Sequence, residues 1–247
     1  MTTIESSRPS LTSNDSAVLQ ALFDAESSPS SAVTINPSLP PFPAHLEISP
    51  AEYETLKSRE LAIVRTLQPS HVAKDVVQSA VKELDSLINE HPLYPPAYAN
   101  RAQALRMLMD LPSDESSTGQ SDSDERLFEP DNAKVLSDLL SDLGQAISLA
   151  TPRSPADPVS SVQARILADS HTHRGYLLLK AAKKKDLSVK KLQKVGADQL
   201  EEMASRDFFF GGRYGNQVAQ QLAVQTNPYA KMCGAIVKEA MRKELEA

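Results

Sequence analysis

From residue 50 onward, apolar residues recur every three to four positions, which is the period of amphipathic helices. Strand-like alternation is hard to find, and glycine is scarce. We therefore predict an all-α protein. The predicted helices cover 50–68, 73–90, 96–110, 131–150, 160–184, 197–210, 216–224 and 229–245. In this prediction Gly211-Gly212 end the helix that begins near residue 197.

Two of these helices share one spacing of large and small residues. It consists of a large residue, a small residue four positions later and a large residue three beyond that, all on one helix face. The positions are Tyr98, Ala102 and Leu105 in the first helix, and His171, Gly175 and Leu178 in the second. In both helices an arginine, Arg101 or Arg174, stands just before the small residue. A small residue there lets a neighbouring helix approach closely.

A second spacing occurs in the helices that alternate with these. It begins with an alanine or another apolar residue, and it continues with a large residue four positions later and a third residue, typically small, three positions beyond that. Its positions are Ala80, Leu84 and Leu87, then Leu139, Leu143 and Ala146, then Ala204, Phe208 and Gly211. Alternation of the two spacings is typical of tetratricopeptide repeats, in which helical hairpins stack into a superhelix. We predict a tetratricopeptide-like superhelix of three degenerate repeats with a C-terminal capping helix. A helical bundle with chance spacing is the alternative.

The composition predicts two regions. Residues 1–48 form a mostly disordered N-terminal segment with a short helix over 15–23. The proline- and serine-rich stretch over 27–50 should run extended, as a linker or as a strap over the domain. Residues 49–247 form the three-repeat domain, interrupted by a disordered acidic loop over 113–130 and closed by the capping helix over 228–245.

Charge and composition argue against several functions. A net charge of −6 does not suggest nucleic-acid binding, no apolar run reaches the length of a membrane span, and the single Cys233 excludes a cysteine metal cage. We expect a cytoplasmic protein. Lysine clusters at 183–185 and 190–191 fit an acidic partner or a nuclear signal, but the acidic chain as a whole favours solvated helix ends as their explanation.

No catalytic constellation is present in the sequence. His171 and His173 are two residues apart on a helix, so they point in different directions and cannot share a metal. His171 occupies the aromatic position of its repeat, where we expect it to be packed. The glycine-rich run 211–215 follows a helix rather than a strand, which does not fit a phosphate-binding loop. We predict that the chain is not an enzyme and has no cofactor or metal.

Several segments together resemble the tetratricopeptide repeat protein 36 family. They are NDSAVLQALFD near the N-terminus, PAYANRAQALRM, SDLGQAIS, HTHRGYLLLK, ASRDF and the closing NPYAKMCGAIVKEAM. The longer loops and the proline-rich strap resemble a fungal-type member. The resemblance implies a non-catalytic adaptor that binds another protein, either a seventy-kilodalton heat-shock chaperone or an enzyme of tyrosine catabolism that it stabilises.

Chaperone binding can be tested against the residues. Tetratricopeptide domains that grip a chaperone's acidic tail use Lys, Asn, Asn, Lys and Arg on their first helices. Asn100 matches the central asparagine, whereas Glu60, Val64, Asp169 and His173 stand at the other four positions. Two acidic residues would repel carboxylates, so we predict that this mode of binding is absent.

The concave groove of such a superhelix is the candidate site for a peptide or helix of a partner. Asn100 is the strongest candidate, because it neighbours the packed Tyr98 face, although ordinary solvent exposure explains each groove residue singly. The predicted groove residues are Pro96, Ala99, Asn100, Gln103, Arg106, Thr172, His173, Tyr176 and Lys180. Alternatives to the adaptor are a structural subunit of a larger assembly and an enzyme with an unrecognised site.

Overall fold

The computed structural model describes residues 33–69, 72–111, 126–184, 187, 189–227 and 242. Within them the chain is all-α, with seven helices of ten or more residues and no strand. The helices are α1 (Pro50–Thr66), α2 (Lys74–Glu90), α3 (Pro95–Asp110), α4 (Ala133–Ala150), α5 (Ser161–Lys183), α6 (Ala197–Arg213) and α7 (Gln217–Thr226). Shorter turns are Ala44–Leu46, Pro130–Asn132 and Lys190–Gln193. The predicted helices at 15–23 and 228–245 lie outside the described residues.

Local sequence signals define where α1 and α5 begin. The Ser49 hydroxyl accepts a hydrogen bond from the Glu52 amide, and Pro50 takes the first helical position, where its missing N–H costs nothing. At α5, Ser160 and Gln163 form a reciprocal capping box. These caps fix the start of both helices independently of their packing.

Each helix packs on the next one along the chain, and contacts also skip one helix. Helix α1 touches α3, and α3 touches α5. The buried apolar residues form two clusters: one joins α1, α2 and α3 to the start of α5, and the other joins α3, α4, α5 and α6. The core therefore continues from hairpin to hairpin.

Small residues sit where helices approach most closely. A Cβ added at Gly175 would lie 3.0 Å from Phe208 Cε1, so α6 approaches α5 directly over this glycine. The prediction that Gly211-Gly212 end a helix is wrong, because α6 continues to Arg213. An added Cβ at Gly211 would lie 2.7 Å from Thr172 Oγ1, so this glycine serves close packing rather than termination.

The described part of the strap before α1, residues 33–48, lies against its own domain. Ile35 forms a parallel β-bridge with Val159, and the Ser160 hydroxyl donates a 2.7 Å hydrogen bond to the Pro41 carbonyl. Phe42 packs edge-to-face on Tyr53 and Tyr94, with ring centroids 5.5 and 5.7 Å apart. The strap thus contacts α1 and the starts of α3 and α5.

Most of the predicted disordered loop at 113–130 lies outside the described residues, but its last residues, 126–130, are folded. Its last residues form a turn in which Leu127 and Phe128 are buried against the second core cluster. These two side chains supply apolar surface just before α4, which explains why residues 126–130 are ordered although the acidic composition around them predicts a loop.

Candidate functional site

The arginines that precede the small residues of α3 and α5 both grip an aspartate on the following helix. Arg101 Nε and Nη2 donate to the Asp142 carboxylate at 2.8 and 2.5 Å. Arg174 Nε and Nη2 donate to Asp207 at 2.8 and 2.7 Å. Each aspartate is buried and stands just before the large residue of the second spacing. The two pairs are therefore one bidentate contact made twice.

Their surroundings differ. Arg101 Nη1 also donates to Asp85 on α2 at 2.6 Å. Asp207 instead accepts from His171 Nδ1, with 2.8 Å between the two atoms. Burial would raise the pKa of Asp207, but the hydrogen bonds from Arg174 and His171 outweigh it and hold that pKa below its ordinary value.

His171 occupies the packed position that the spacing predicts. The residue is 6 % exposed, and its ring stacks on Phe210 and Tyr214, with centroids 5.2 and 6.3 Å away. Together with the hydrogen bond to Asp207, this places the imidazole in the core, joining α5 to α6.

Four of the predicted groove residues come together where α3 faces α5. The Arg106 guanidinium and the Lys180 ammonium lie 6.0 and 5.2 Å from the Tyr176 ring centroid, within cation–π range. Arg106 also pairs with Asp110 at 3.0 Å. Burial lowers the pKa of His173 to about 4, and the charge of Arg106 adds to this shift. We call Arg106, His173, Tyr176 and Lys180 the tyrosine cluster.

The other predicted groove residues lie elsewhere. Gln103 is exposed, Ala99 is half-buried against the first core cluster, and Pro96 is buried, so Pro96 does not line an open groove. The Thr172 hydroxyl donates to the Ala168 carbonyl and faces Gly211 of α6, so the prediction that it lines the groove is wrong.

Asn100 belongs to a hydrogen-bonded group around Glu60. The Asn100 amide donates to Glu60 at 2.7 Å, and the hydroxyl of the buried Tyr94 donates to the same carboxylate. Burial raises the pKa of Tyr94, and the charge of Glu60 and this hydrogen bond act in the same direction. Glu60 and Asn100, which stand at two of the positions that grip a chaperone tail in tetratricopeptide domains, are thus hydrogen-bonded to each other.

Neither a cluster of metal-ligating side chains nor a membrane-spanning helix is found among the described residues. No group of three or more His, Cys, Asp or Glu side chains in this part of the chain could hold a metal ion. None of the described helices is both long and apolar enough to cross a membrane.

Comparison with known proteins finds a relative in Aspergillus fumigatus, the L-tyrosine degradation gene cluster protein hmgX. It is 68 % identical over 253 aligned positions, which cover 99 % of this chain and 97 % of the relative. The chain belongs to the hmgX family. No protein-family model matches the chain, and no solved structure matches it.

For this member of the hmgX family, sequence reasoning missed the aspartates and the strap anchor. Asp142 and Asp207 carry a detectable signal, since each precedes the large residue of the second spacing by one position. Phe42 carries none, because it is an isolated aromatic in a proline-rich segment and only the folded chain shows what it packs against.

Proposed function

We propose that the chain is a non-catalytic adaptor built from three tetratricopeptide-like hairpins, α1–α2, α3–α4 and α5–α6. The proposal rests on the two alternating spacings and on the contacts of α1 with α3 and of α3 with α5. In stacked hairpins the first helices of neighbouring repeats touch in this order and together present one binding face.

The observation that carries the adaptor function is the tyrosine cluster on this face. The cluster places the ring of Tyr176 beside the guanidinium of Arg106, and Tyr and Arg are enriched at protein interfaces and among the residues that contribute most binding energy. By contrast, the buried acidic groups Asp142 and Asp207 are engaged by arginines that join neighbouring helices. Such pairs stabilise the scaffold.

The partner we propose is an enzyme of tyrosine catabolism, which the adaptor stabilises in the cytoplasm. The support is the name of the A. fumigatus relative, a protein of an L-tyrosine degradation gene cluster. A chaperone remains a second partner class, but not through a carboxylate grip, because Glu60 and Asn100 bond to each other.

The test measures how long tyrosine-degrading activity survives in an extract that lacks this protein. Purified protein is added back, and tyrosine consumption is followed during incubation at 37 °C. We expect the wild-type protein to consume no tyrosine alone but to lengthen the half-life of the activity in the extract. The groove variant Gln103→Ala/Lys180→Ala should lose this effect.

A matched control makes the same chemical changes on another helix. Gln78 and Lys82 are exposed on α2, so Gln78→Ala/Lys82→Ala alters charge and size equally. This control should protect the extract as well as the wild type does. If the groove variant protects the extract equally well, the groove is not the binding site. If the purified protein consumes tyrosine, the non-catalytic role is refuted. If the wild-type protein gives no protection, the chain does not stabilise a tyrosine-degrading enzyme.

A further inference from the structure

The two arginine–aspartate contacts differ in one position of the preceding hairpin. Arg101 has a second acid, Asp85, which directly follows Leu84 in the second spacing. The residue at the equivalent position of the next hairpin follows Leu143 and is Gly144. An added Cβ at Gly144 would meet nothing within 4 Å. The second hairpin therefore lacks the acid that would pair with Arg174, and open space stands in its place.

A cavity of about 360 Å³ lies between α4, α5 and α6, and its lining residue Ser141 is about one helical turn before Gly144. Small polar residues of α4 form one side, two arginines supply positive charge, and apolar side chains form much of the remaining surface. Residues that define it are Ser137, Ser141, Arg174, Leu178, Met203 and Arg206.

Both arginines have donor groups to offer. Arg174 uses Nε and Nη2 for Asp207, and its Nη1 makes no hydrogen bond among the described residues. Arg206 is exposed and forms no ion pair in the same part of the chain. Among the described residues that line the cavity, Asp207 is the one acid beside two arginines, so positive charge exceeds negative charge in this lining.

We propose that this cavity binds a small carboxylic acid with an apolar body. The carboxylate takes the place that Asp85 has beside Arg101, accepting from Arg174 Nη1 and from Arg206. Guanidinium groups suit this role because their donor geometry matches a carboxylate. The apolar body lies against Leu178 and Met203, and the volume is at the lower end of the range for small-molecule sites.

Phenylacetate is the probe, and calorimetric titration of the full chain is the measurement. We expect phenylacetate to bind, its neutral amide not to bind, and acetate, which lacks the apolar body, to bind at least tenfold more weakly. The decisive variant is Gly144→Asp, which supplies the missing acid within the chain. It should weaken phenylacetate binding at least tenfold by pairing with Arg174.

Gly144→Asn is the matched control, since it has the same shape without the charge. It should bind phenylacetate within twofold of the wild type. Because an added Cβ at Gly144 meets nothing, both variants should keep the wild-type circular dichroism spectrum. The proposal is overturned if phenylacetate fails to bind the wild type, if Gly144→Asp binds it as tightly, or if acetate or the amide binds equally well.

Discussion

Replacing Asp207 by asparagine should destabilise the fold strongly, because this buried carboxylate is the common acceptor of three hydrogen bonds. Two come from Arg174 and one from His171, all between 2.7 and 2.8 Å. Asparagine keeps one acceptor oxygen but turns an NH₂ group towards a donor. The Arg174 charge would also lose its counter-ion.

The magnitude follows from the number of hydrogen bonds and from burial. A hydrogen bond to a charged group contributes about 1.5–3 kcal/mol, and a broken buried ion pair costs about 3–5 kcal/mol. The Asp207 side chain is 4 % exposed, but that of Arg174 is 28 % exposed and can turn partly to water, which reduces the cost. We expect Asp207→Asn to lower the free energy of unfolding by about 3 kcal/mol.

The assay is urea unfolding at pH 7 followed by circular dichroism at 222 nm, with a thermal scan beside it. A loss of this size should lower Tm by roughly 6–12 °C in a chain of this length. The matched control is Glu90→Gln. Glu90 forms an equally close bidentate pair with Arg59, at 2.5 and 2.9 Å, but both side chains are well exposed. Its urea midpoint should stay at the wild-type value.

A double variant separates the ion pair from simple loss of packing. Arg174→Met/Asp207→Leu removes both charges of the ion pair, and among the described residues the His171 ring nitrogen is the one group that loses its hydrogen-bond partner. It should be more stable than Asp207→Asn, since much of the single variant's cost is the unpaired Arg174. The reasoning fails if Asp207→Asn unfolds at the wild-type midpoint, or if Glu90→Gln shifts the midpoint as far.

Three further predictions concern other parts of the fold. The pKa of His173 is lowered from 6.5 to about 4, so between these pH values the unfolded chain binds more protons than the folded chain. The free energy of unfolding should therefore fall by roughly 3 kcal/mol as the pH drops through this window. If urea midpoints depend on pH in His173→Gln as they do in the wild type, this prediction is wrong. Phe42→Ala should lower the free energy of unfolding by about 3 kcal/mol, because the ring is buried on Tyr53 and Tyr94. The control is Phe209→Ala, which removes an exposed phenylalanine, and an equal Tm shift in both variants would exclude a docked strap. Gly175→Ala should lower Tm, because the added Cβ would crowd Phe208. Gly144→Ala should instead raise the free energy of unfolding by about 1 kcal/mol, because alanine has the higher helix propensity and its Cβ meets no neighbour. If Tm shifts in the same direction in both variants, the packing argument is wrong.

The helices could be predicted from the sequence because their apolar period is local and strong. The spacing of Tyr98, Ala102 and Leu105 also predicts one buried face, and all three residues are buried. The repeated small residue at Gly175 predicts close approach of a neighbouring helix, and Phe208 lies there. The helical period fixes these features without knowledge of distant residues.

The finer positions in the candidate site could not be predicted in this way. Pro96 is buried and Thr172 faces α6, since the exposure of a helix face depends on which other segments cover it. Phe42 joins the core from the strap, far from its partners in sequence. The Glu60–Asn100 bond likewise links residues 40 positions apart. Such contacts depend on packing between elements, which single-helix patterns do not contain.

Comparison of equivalent positions shows where one hairpin departs from another, and Gly144 is such a departure. If the missing acid at this position leaves room for a ligand, an aspartate introduced there should weaken ligand binding and raise the stability of the fold. Gly144→Asp should raise the free energy of unfolding by about 1 kcal/mol, through better helix propensity and a new partly exposed ion pair with Arg174. The same variant should lose phenylacetate. Natural sites often retain residues that favour binding over stability. A Gly144→Asp protein that is less stable than Gly144→Asn would show that the new carboxylate does not reach Arg174, and the equivalence with Asp85 would then be wrong.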